Sequence, residues 1–154
     1  MNKNPANFVP LTPISFLHRT ADIYGENTSV IYENRIYTWS ESRERCVRIA
    51  SSLNSFGVMP GDTVSILAFN TPEMFESHFS IPMAGAVLNS INVRLDARTI
   101  AHILNDSNAK MLLVDRELFE VASDAISISS SNPKVILIND AFAESKPNVT
   151  ENTI

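Results

Sequence analysis

Short apolar segments alternate with helical stripes along most of this chain. Residues 64–68, 86–88, 111–114 and 135–138 are almost continuously apolar, which predicts strands buried on both faces. The segments between them carry apolar residues at helical spacing. Strands of this kind separated by helices are typical of a parallel sheet covered by helices, so the sequence predicts an α/β fold with right-handed crossovers.

A helix and a hairpin are predicted before the sheet. Ile14, Leu17 and Ala21 form a helical stripe, and Gly25 is expected to end that helix as a C-terminal glycine. β-Branched and aromatic residues then lie on both sides of residues 33–35, which indicates a β-hairpin.

The helix after the hairpin has a clear start and end. Thr38 and Glu41 fit a capping box. Gly57 is expected to end the helix, whose apolar stripe comprises Cys46, Ile49, Ala50, Leu53 and Phe56.

Three further helices are predicted between the strands. Pro72 suits the first turn of the first, which runs towards Gly85, Asp96 can cap the second, and residues 118–127 form the third. An aromatic and methionine group in and just before the first of these helices is expected to lie in the core: Phe69, Met74, Phe75, Phe79 and Met83.

Composition narrows the class of protein. The net charge is −5, which argues against nonspecific binding to nucleic acid or anionic membranes. Cys46 is the only cysteine and lies on the apolar stripe, so an intrachain disulfide is excluded and a core role is expected. No apolar run approaches the length of a membrane span, and no signal peptide is visible. We expect an intracellular protein.

Polar residues stop the predicted strands at the edge where open α/β sheets bind ligands. They are also expected in any α/β domain, and we interpret them as strand-ending residues: Asn70, Asn89, Asn92, Asp115 and Asp140. Neither a dinucleotide fingerprint nor a Walker loop is present. Residues 129–134 lack glycine and read as a surface loop, and His18, His78 and His102 show no catalytic or metal-ligand spacing.

Two segments together resemble the AMP-forming acyl-activating enzymes, also called the acyl-CoA synthetase family. The first is residues 37–41, Tyr-Thr-Trp-Ser-Glu. The second begins at Pro60-Gly61-Asp62 and continues through residues 70–73, 84–87 and 92, with further likeness at 94–95, 100–104 and the strand ending at Asp115. The residues at 89–92 are most similar to plant and bacterial synthetases for medium-chain or aryl acids.

The resemblance implies an acid–thiol ligase that makes acyl-AMP and then acyl-CoA, using ATP, Mg²⁺, coenzyme A and a fatty or aryl carboxylic acid. It also implies that the catalytic motifs lie beyond Ile154 in the family's order. We therefore expect an N-terminal fragment that is inactive alone and binds none of these molecules, and we assign no catalytic, cofactor-binding or metal-binding residue.

The predicted organisation is an extended arm (1–13), part of the adenylate-forming N-terminal domain (14–140) and a polar tail (141–154). The expected compartment is the cytoplasm or the peroxisome. A non-catalytic α/β binding or interaction module built on the same scaffold is the alternative, whereas an independent Rossmann dehydrogenase is disfavoured because no glycine fingerprint follows a strand.

Overall fold

The computed structural model describes residue 4 and residues 11–139. Two predicted features, the polar tail and Asp140, lie outside the described residues, as does most of the predicted arm. Helix α1 (Pro13–Tyr24) begins with Pro13 in its first turn and is capped by Thr12, whose side chain accepts a hydrogen bond from Ser15 N. The boundaries predicted for the arm, the partial domain and the tail stay predictions.

The predicted hairpin and capped helix are confirmed. Strands β1 (Thr28–Tyr32) and β2 (Arg35–Thr38) pair antiparallel. Helix α2 (Trp39–Ser55) follows at once, with the capping box between Thr38 and Glu41 in place. Gly57 ends α2 with φ +89°, a conformation that L side chains rarely adopt.

Gly25 plays a different role from the one expected. Its φ is −51°, so it is right-handed and does not provide the left-handed turn that ends many helices. A Cβ at this position would lie 2.4 Å from Ser40 Oγ and 2.6 Å from Ala21 O. Glycine is therefore favoured because a Cβ would meet both a carbonyl of α1 and the Ser40 side chain at the start of α2.

The predicted parallel sheet is also confirmed. Strand β3 (Thr63–Leu67) leads to α3 (Pro72–Met83) and β4 (Val87–Ser90), and α4 (Ala97–Asp106) leads to β5 (Ala109–Asp115). A 3₁₀ turn (Arg116–Leu118) and α5 (Phe119–Ile128) precede β6 (Lys134–Ile138). The strand order is β4-β3-β5-β6, and every pair is parallel. Strand β4 starts after Ala86 because Ala86 N still donates to Ile81 O at the end of α3.

The helices form two layers on opposite faces of this sheet. Helices α2 and α3 pack on one face through residues that include Leu53 and Ile81, against Val64 and Met111. Helices α4 and α5 pack on the other face, over Leu112 and Val114 among others. The helices that follow β3 and β5 thus lie on opposite faces, which makes the gap between these neighbouring strands the topological switch point. Within the described residues, no helix combines the length and apolarity needed to cross a bilayer.

Candidate functional site

A crevice opens beyond the carboxyl ends of β3 and β4. Its volume is about 430 Å³, and its walls are the loop after β3, the end of β4 and one side of α3. The polar side chains in these walls are Asn70, His78, Ser90 and Asn92. All four are neutral or weakly basic, so the crevice can form hydrogen bonds but presents no lysine or arginine to a phosphate.

The residues predicted to stop strands separate into different surroundings. Asn70 and Asn92 both line the crevice. Asn89 lies inside β4 instead of after it, because β4 extends to Ser90, and its amide donates to Ser65 Oγ at 2.9 Å and to Ser107 Oγ at 3.2 Å.

Asp115 ends β5 beside the switch point. Its side chain is 2% exposed and accepts a hydrogen bond from Glu117 N at 3.1 Å, which starts the 3₁₀ turn. This contact agrees with the predicted strand-ending role.

Among the three histidines, His78 lines both the crevice and a neighbouring groove. Its Nδ1 lies 2.9 Å from the carbonyl oxygen of Met74. Because a carbonyl only accepts, Nδ1 carries the proton, and in the neutral ring Nε2 is left as an acceptor. No group of three or more His, Cys, Asp or Glu side chains within the described residues is arranged to hold a metal ion.

A larger groove of about 610 Å³ adjoins the crevice and shares Asn70, Met74 and His78 with it. It runs between β1 and α3, and both Phe75 and Phe79 line it. These two rings meet edge to face, with centroids 5.3 Å apart.

The prediction that the aromatic group lies in the core is therefore wrong for three of its members. Phe69 is 41% exposed in the crevice wall, and Phe75 and Phe79 are half-buried in the groove. Met74 and Met83 do pack against the core. For Phe75 and Phe79 the physical reason is the orientation of α3, which turns Glu76, Ser77 and Ser80 inward. Phe69 precedes this helix, in the loop after β3.

A cluster of four charged side chains lies behind the groove, and the sequence analysis missed it. Glu76 is fully buried, and both of its oxygens accept from Arg45: Oε1 from Nε, and Oε2 from Nη2 at 3.0 Å. Glu73 Oε1 accepts from Arg35 Nη1 at 3.3 Å and from Arg45 Nη2 at 3.4 Å. The guanidinium of Arg45 also lies 4.6 Å from the centre of the Tyr37 ring. Hairpin, α2 and α3 are joined at this point.

Burial and ion pairing have opposite effects on the pKa of the buried carboxylate in this cluster. Burial raises the pKa of Glu76, while hydrogen bonds from Arg45 oppose that rise. The same carboxylate raises the pKa of Arg45. Burial and the nearby Glu76 raise the pKa of Cys46 to about 12, so the thiol is protonated and unreactive near neutral pH, in agreement with the core role expected for it.

The spacing of small residues could have revealed the cluster. The apolar period of α3 predicts that Phe75, Phe79 and Met83 form its buried face. In the structure, the buried face contains Glu76 and Ser80 instead. Small side chains at 77 and 80 let α2 approach α3 closely, and a carboxylate on such a stripe requires a cationic partner. Arg45 is 31 residues away, so nothing local identifies it.

The serine-rich loop before β6 has a structural role. Asn105 Oδ1 accepts hydrogen bonds from Ser130 N, Ser131 N and Ser129 Oγ. The loop also lies at the amino-terminal edge of the sheet, opposite the crevice. It is the surface loop that the sequence predicts.

The described linings of the crevice and the groove contain no lysine or arginine. No group of three or more potential metal-ligating side chains occurs within the described residues. We therefore derive no catalytic step from these residues.

Comparison with known proteins gives consistent matches. A model of the AMP-binding enzyme family matches residues 17–153. A peroxisomal butyrate–CoA ligase of Arabidopsis thaliana is 47% identical over 147 residues, covering 92% of this chain and 26% of the ligase. A peroxisomal trans-cinnamate:CoA ligase of Petunia hybrida is 45% identical over 154 residues, covering 92% and 27%. The chain spans about a quarter of the length of these relatives.

Solved structures show the same fold. A benzoate CoA ligase from Burkholderia xenovorans superposes with a TM-score of 0.77 at 22% identity, over 82% of this chain and 25% of the ligase. The hairpin followed by helices and a parallel sheet is therefore a fold that this chain shares with part of that ligase.

Proposed function

Because the chain belongs to the AMP-binding enzyme family, we propose that it serves as the N-terminal scaffold of an acid–thiol ligase. The observation that carries the proposal is 47% identity to a butyrate–CoA ligase over nearly the whole chain. The identities of 45% to a cinnamate ligase and 22% over the same fold to a benzoate ligase are consistent with it.

The reaction proposed for the whole ligase has two steps. A carboxylate oxygen bonds to the α-phosphorus of ATP and pyrophosphate leaves, with Mg²⁺ accompanying the nucleotide. The thiol of coenzyme A, losing its proton, then bonds to the acyl carbon, and AMP leaves. The described residues position the scaffold in this proposal, and none is assigned to catalysis or to cofactor binding.

The proposed substrates are fatty or aryl carboxylic acids. Names of relatives span both classes, since one is a butyrate ligase and another a trans-cinnamate ligase. Both relatives are described as peroxisomal, which favours a peroxisomal over a cytoplasmic location for the ligase.

A chimera tests the proposal directly. Residues 11–139 would replace the matching segment of the Arabidopsis butyrate–CoA ligase, and ATP–pyrophosphate exchange would be measured with acetate, butyrate, hexanoate, benzoate and cinnamate. We expect exchange with at least one acid from the chimera and none from the 154-residue chain alone. The unmodified ligase is the positive control.

The alternative, a non-catalytic binding module, predicts the opposite pattern. A chimera that folds, as shown by circular dichroism and size exclusion, but supports no exchange with any acid would favour the module. Exchange by the 154-residue chain alone would also contradict the proposed scaffold role.

A further inference from the structure

The crevice beyond β3 and β4 has a lining that suits an uncharged ligand group. It lies at the sheet edge where open α/β folds bind ligands. Its volume, about 430 Å³, falls within the range of small-molecule sites. No lysine, arginine, aspartate or glutamate is among its described lining residues. The charged end of a ligand would therefore find no counter-ion in this lining, whereas an uncharged end could enter.

Internal hydrogen bonds limit what the polar side chains of the crevice can still offer. His78 Nδ1 donates to Met74 O, so Nε2 remains as an acceptor. Asn92 Oδ1 accepts from Arg94 N at 3.0 Å, so the NH₂ group of Asn92 remains as a donor. Both side chains are exposed to solvent and line the crevice. A hydroxyl group, which donates and accepts at the same time, matches this pair.

The apolar part of the lining favours an aromatic ring beside that hydroxyl. Phe69 is 41% exposed, and the Met74 side chain lies between the crevice and the groove. Aromatic rings pack favourably against other rings and against thioethers. Ile91 and Val93 add aliphatic surface to the same lining. A phenolic group combines the ring and the hydroxyl that these walls suit.

We propose that the crevice binds the phenolic end of a hydroxylated aryl carboxylic acid, whose hydroxyl donates to His78 Nε2 and accepts from the Asn92 amide. The inference rests on the proposed function and narrows its aryl acids to those with a hydroxyl remote from the carboxylate. The 45% identity to a trans-cinnamate ligase is consistent with an aryl acid. The carboxylate itself would lie outside this lining, which has no cation to receive it.

A binding measurement on the 154-residue chain tests the site without catalysis. Chemical shifts of the isotope-labelled chain would be followed with para-hydroxycinnamate, para-methoxycinnamate and cinnamate, which differ only at the far end of the ring. We expect para-hydroxycinnamate to shift the amides of Asn70, His78 and Ser90. It should bind roughly tenfold more tightly than cinnamate, because its hydroxyl adds two hydrogen bonds.

Matched histidine variants define the surface. His78→Phe removes Nε2 and keeps a ring, so it should reduce the affinity for para-hydroxycinnamate to that for cinnamate. His102→Phe makes the same change at an exposed position of α4 and should leave both affinities unchanged. His78 is exposed as well, so both variants should keep the melting temperature of the parent.

A chimera relates the site to the proposed reaction. Residues 11–139 would replace the matching segment of the Petunia trans-cinnamate ligase, and kcat/KM for pyrophosphate exchange would be measured with the same acids. In this chimera, His78→Phe should lower kcat/KM for para-hydroxycinnamate roughly tenfold and leave that for cinnamate within about twofold. A general loss of structure would lower both values together.

The outcomes separate this inference from the proposed function. An active chimera whose preference between the acids is unaffected by His78→Phe overturns the inference and leaves the ligase function standing. Crevice shifts specific to para-hydroxycinnamate, from a folded chimera without exchange, support the site and count against the function. Equal binding of the hydroxy and methoxy acids overturns the inference, as do shifts confined to residues outside the crevice. Tighter binding of para-carbamoylcinnamate also overturns it, since an amide would then be the group that the crevice recognises.

Discussion

The two helical layers of this protein cover the same sheet by different chemistry. The α4–α5 layer is apolar where it meets the sheet, and Ile100, Leu104, Ala122 and Ala125 are all fully buried there. The α2–α3 layer also packs apolar residues on the sheet, but it buries Ser77, Ser80 and Glu76, and Glu76 is paired with the half-buried Arg45. One layer is held by non-directional burial, and the other by contacts that require a particular geometry.

The two layers differ in how strictly they fix the positions of their helices. Apolar packing tolerates small shifts of a helix, whereas a two-point contact between a guanidinium and a carboxylate does not. Arg45 joins α2 to α3, and Glu73 extends the cluster to Arg35 in the hairpin. The charged layer thus sets where the hairpin lies relative to α3, which in turn sets the width of the groove.

The largest effect is expected from Arg45→Met. It leaves the fully buried Glu76 carboxylate without its partner, and an uncompensated buried charge of this kind costs about 3–5 kcal/mol. The free energy of unfolding in urea measures it. The double variant Arg45→Met/Glu76→Leu is the control, and it should recover most of the loss because no charge is left buried. Equal losses in both variants would mean that packing, and not charge, accounts for the effect.

Leu104→Ala tests the apolar layer and should cost slightly less, about 3 kcal/mol, through lost burial and a cavity. Its cost should be the same at pH 5 and pH 8, since no titratable group is exposed by the change. The matched control is Val47→Ala, an exposed position on α2. A loss below about 1 kcal/mol would show that α4 can close the cavity, and the contrast between the layers would weaken.

The same contrast explains what could be predicted from the sequence. Helix α4 follows its apolar period, with Ile100 and Leu104 inward, and its cap at Asp96 is in place. Helix α3 does not, because its aromatic stripe lines a groove and its small polar stripe is buried. The spacing of apolar residues identifies the buried face of a helix only where apolar burial alone determines which face turns inward. The Arg45–Glu76 contact depends on how two helices meet, which no local pattern records.

Asn89→Ala compares a neutral polar contact with the charged one. The amide of Asn89 donates to Ser65, whose hydroxyl is fully buried, so its removal should cost about 1–3 kcal/mol. Asn92→Ala removes an exposed hydrogen bond, which Arg94 N donates to Asn92 Oδ1 at 3.0 Å, and should cost less, about 0.5 kcal/mol. A cost for Asn89 equal to that of Arg45→Met would mean that charge is not what distinguishes the layers.

The smallest effect is the pH dependence contributed by Glu76. Its pKa is raised by burial above the ordinary value of 4.5, so between that value and its folded pKa the native state binds more protons than the unfolded state. The contribution of Glu76 is therefore complete below pH 4.5 and is lost as the pH rises through the folded pKa, by at most about 1.4 kcal/mol per pH unit. Glu41 and Asp96 have lowered pKa values and contribute with the opposite sign, so the profile of the whole protein does not isolate Glu76.

Subtraction of the Glu76→Gln profile isolates it, because the other carboxyl groups are common to both proteins. The parent should lose stability relative to Glu76→Gln as the pH rises from 4.5, whereas no such trend should follow Leu104→Ala. The opposite trend, with the parent gaining on the variant at higher pH, would show that the hydrogen bonds from Arg45 outweigh burial. The pKa of Glu76 would then be lowered, and the charged layer would stabilise the fold by its ion pair instead of only fixing its geometry.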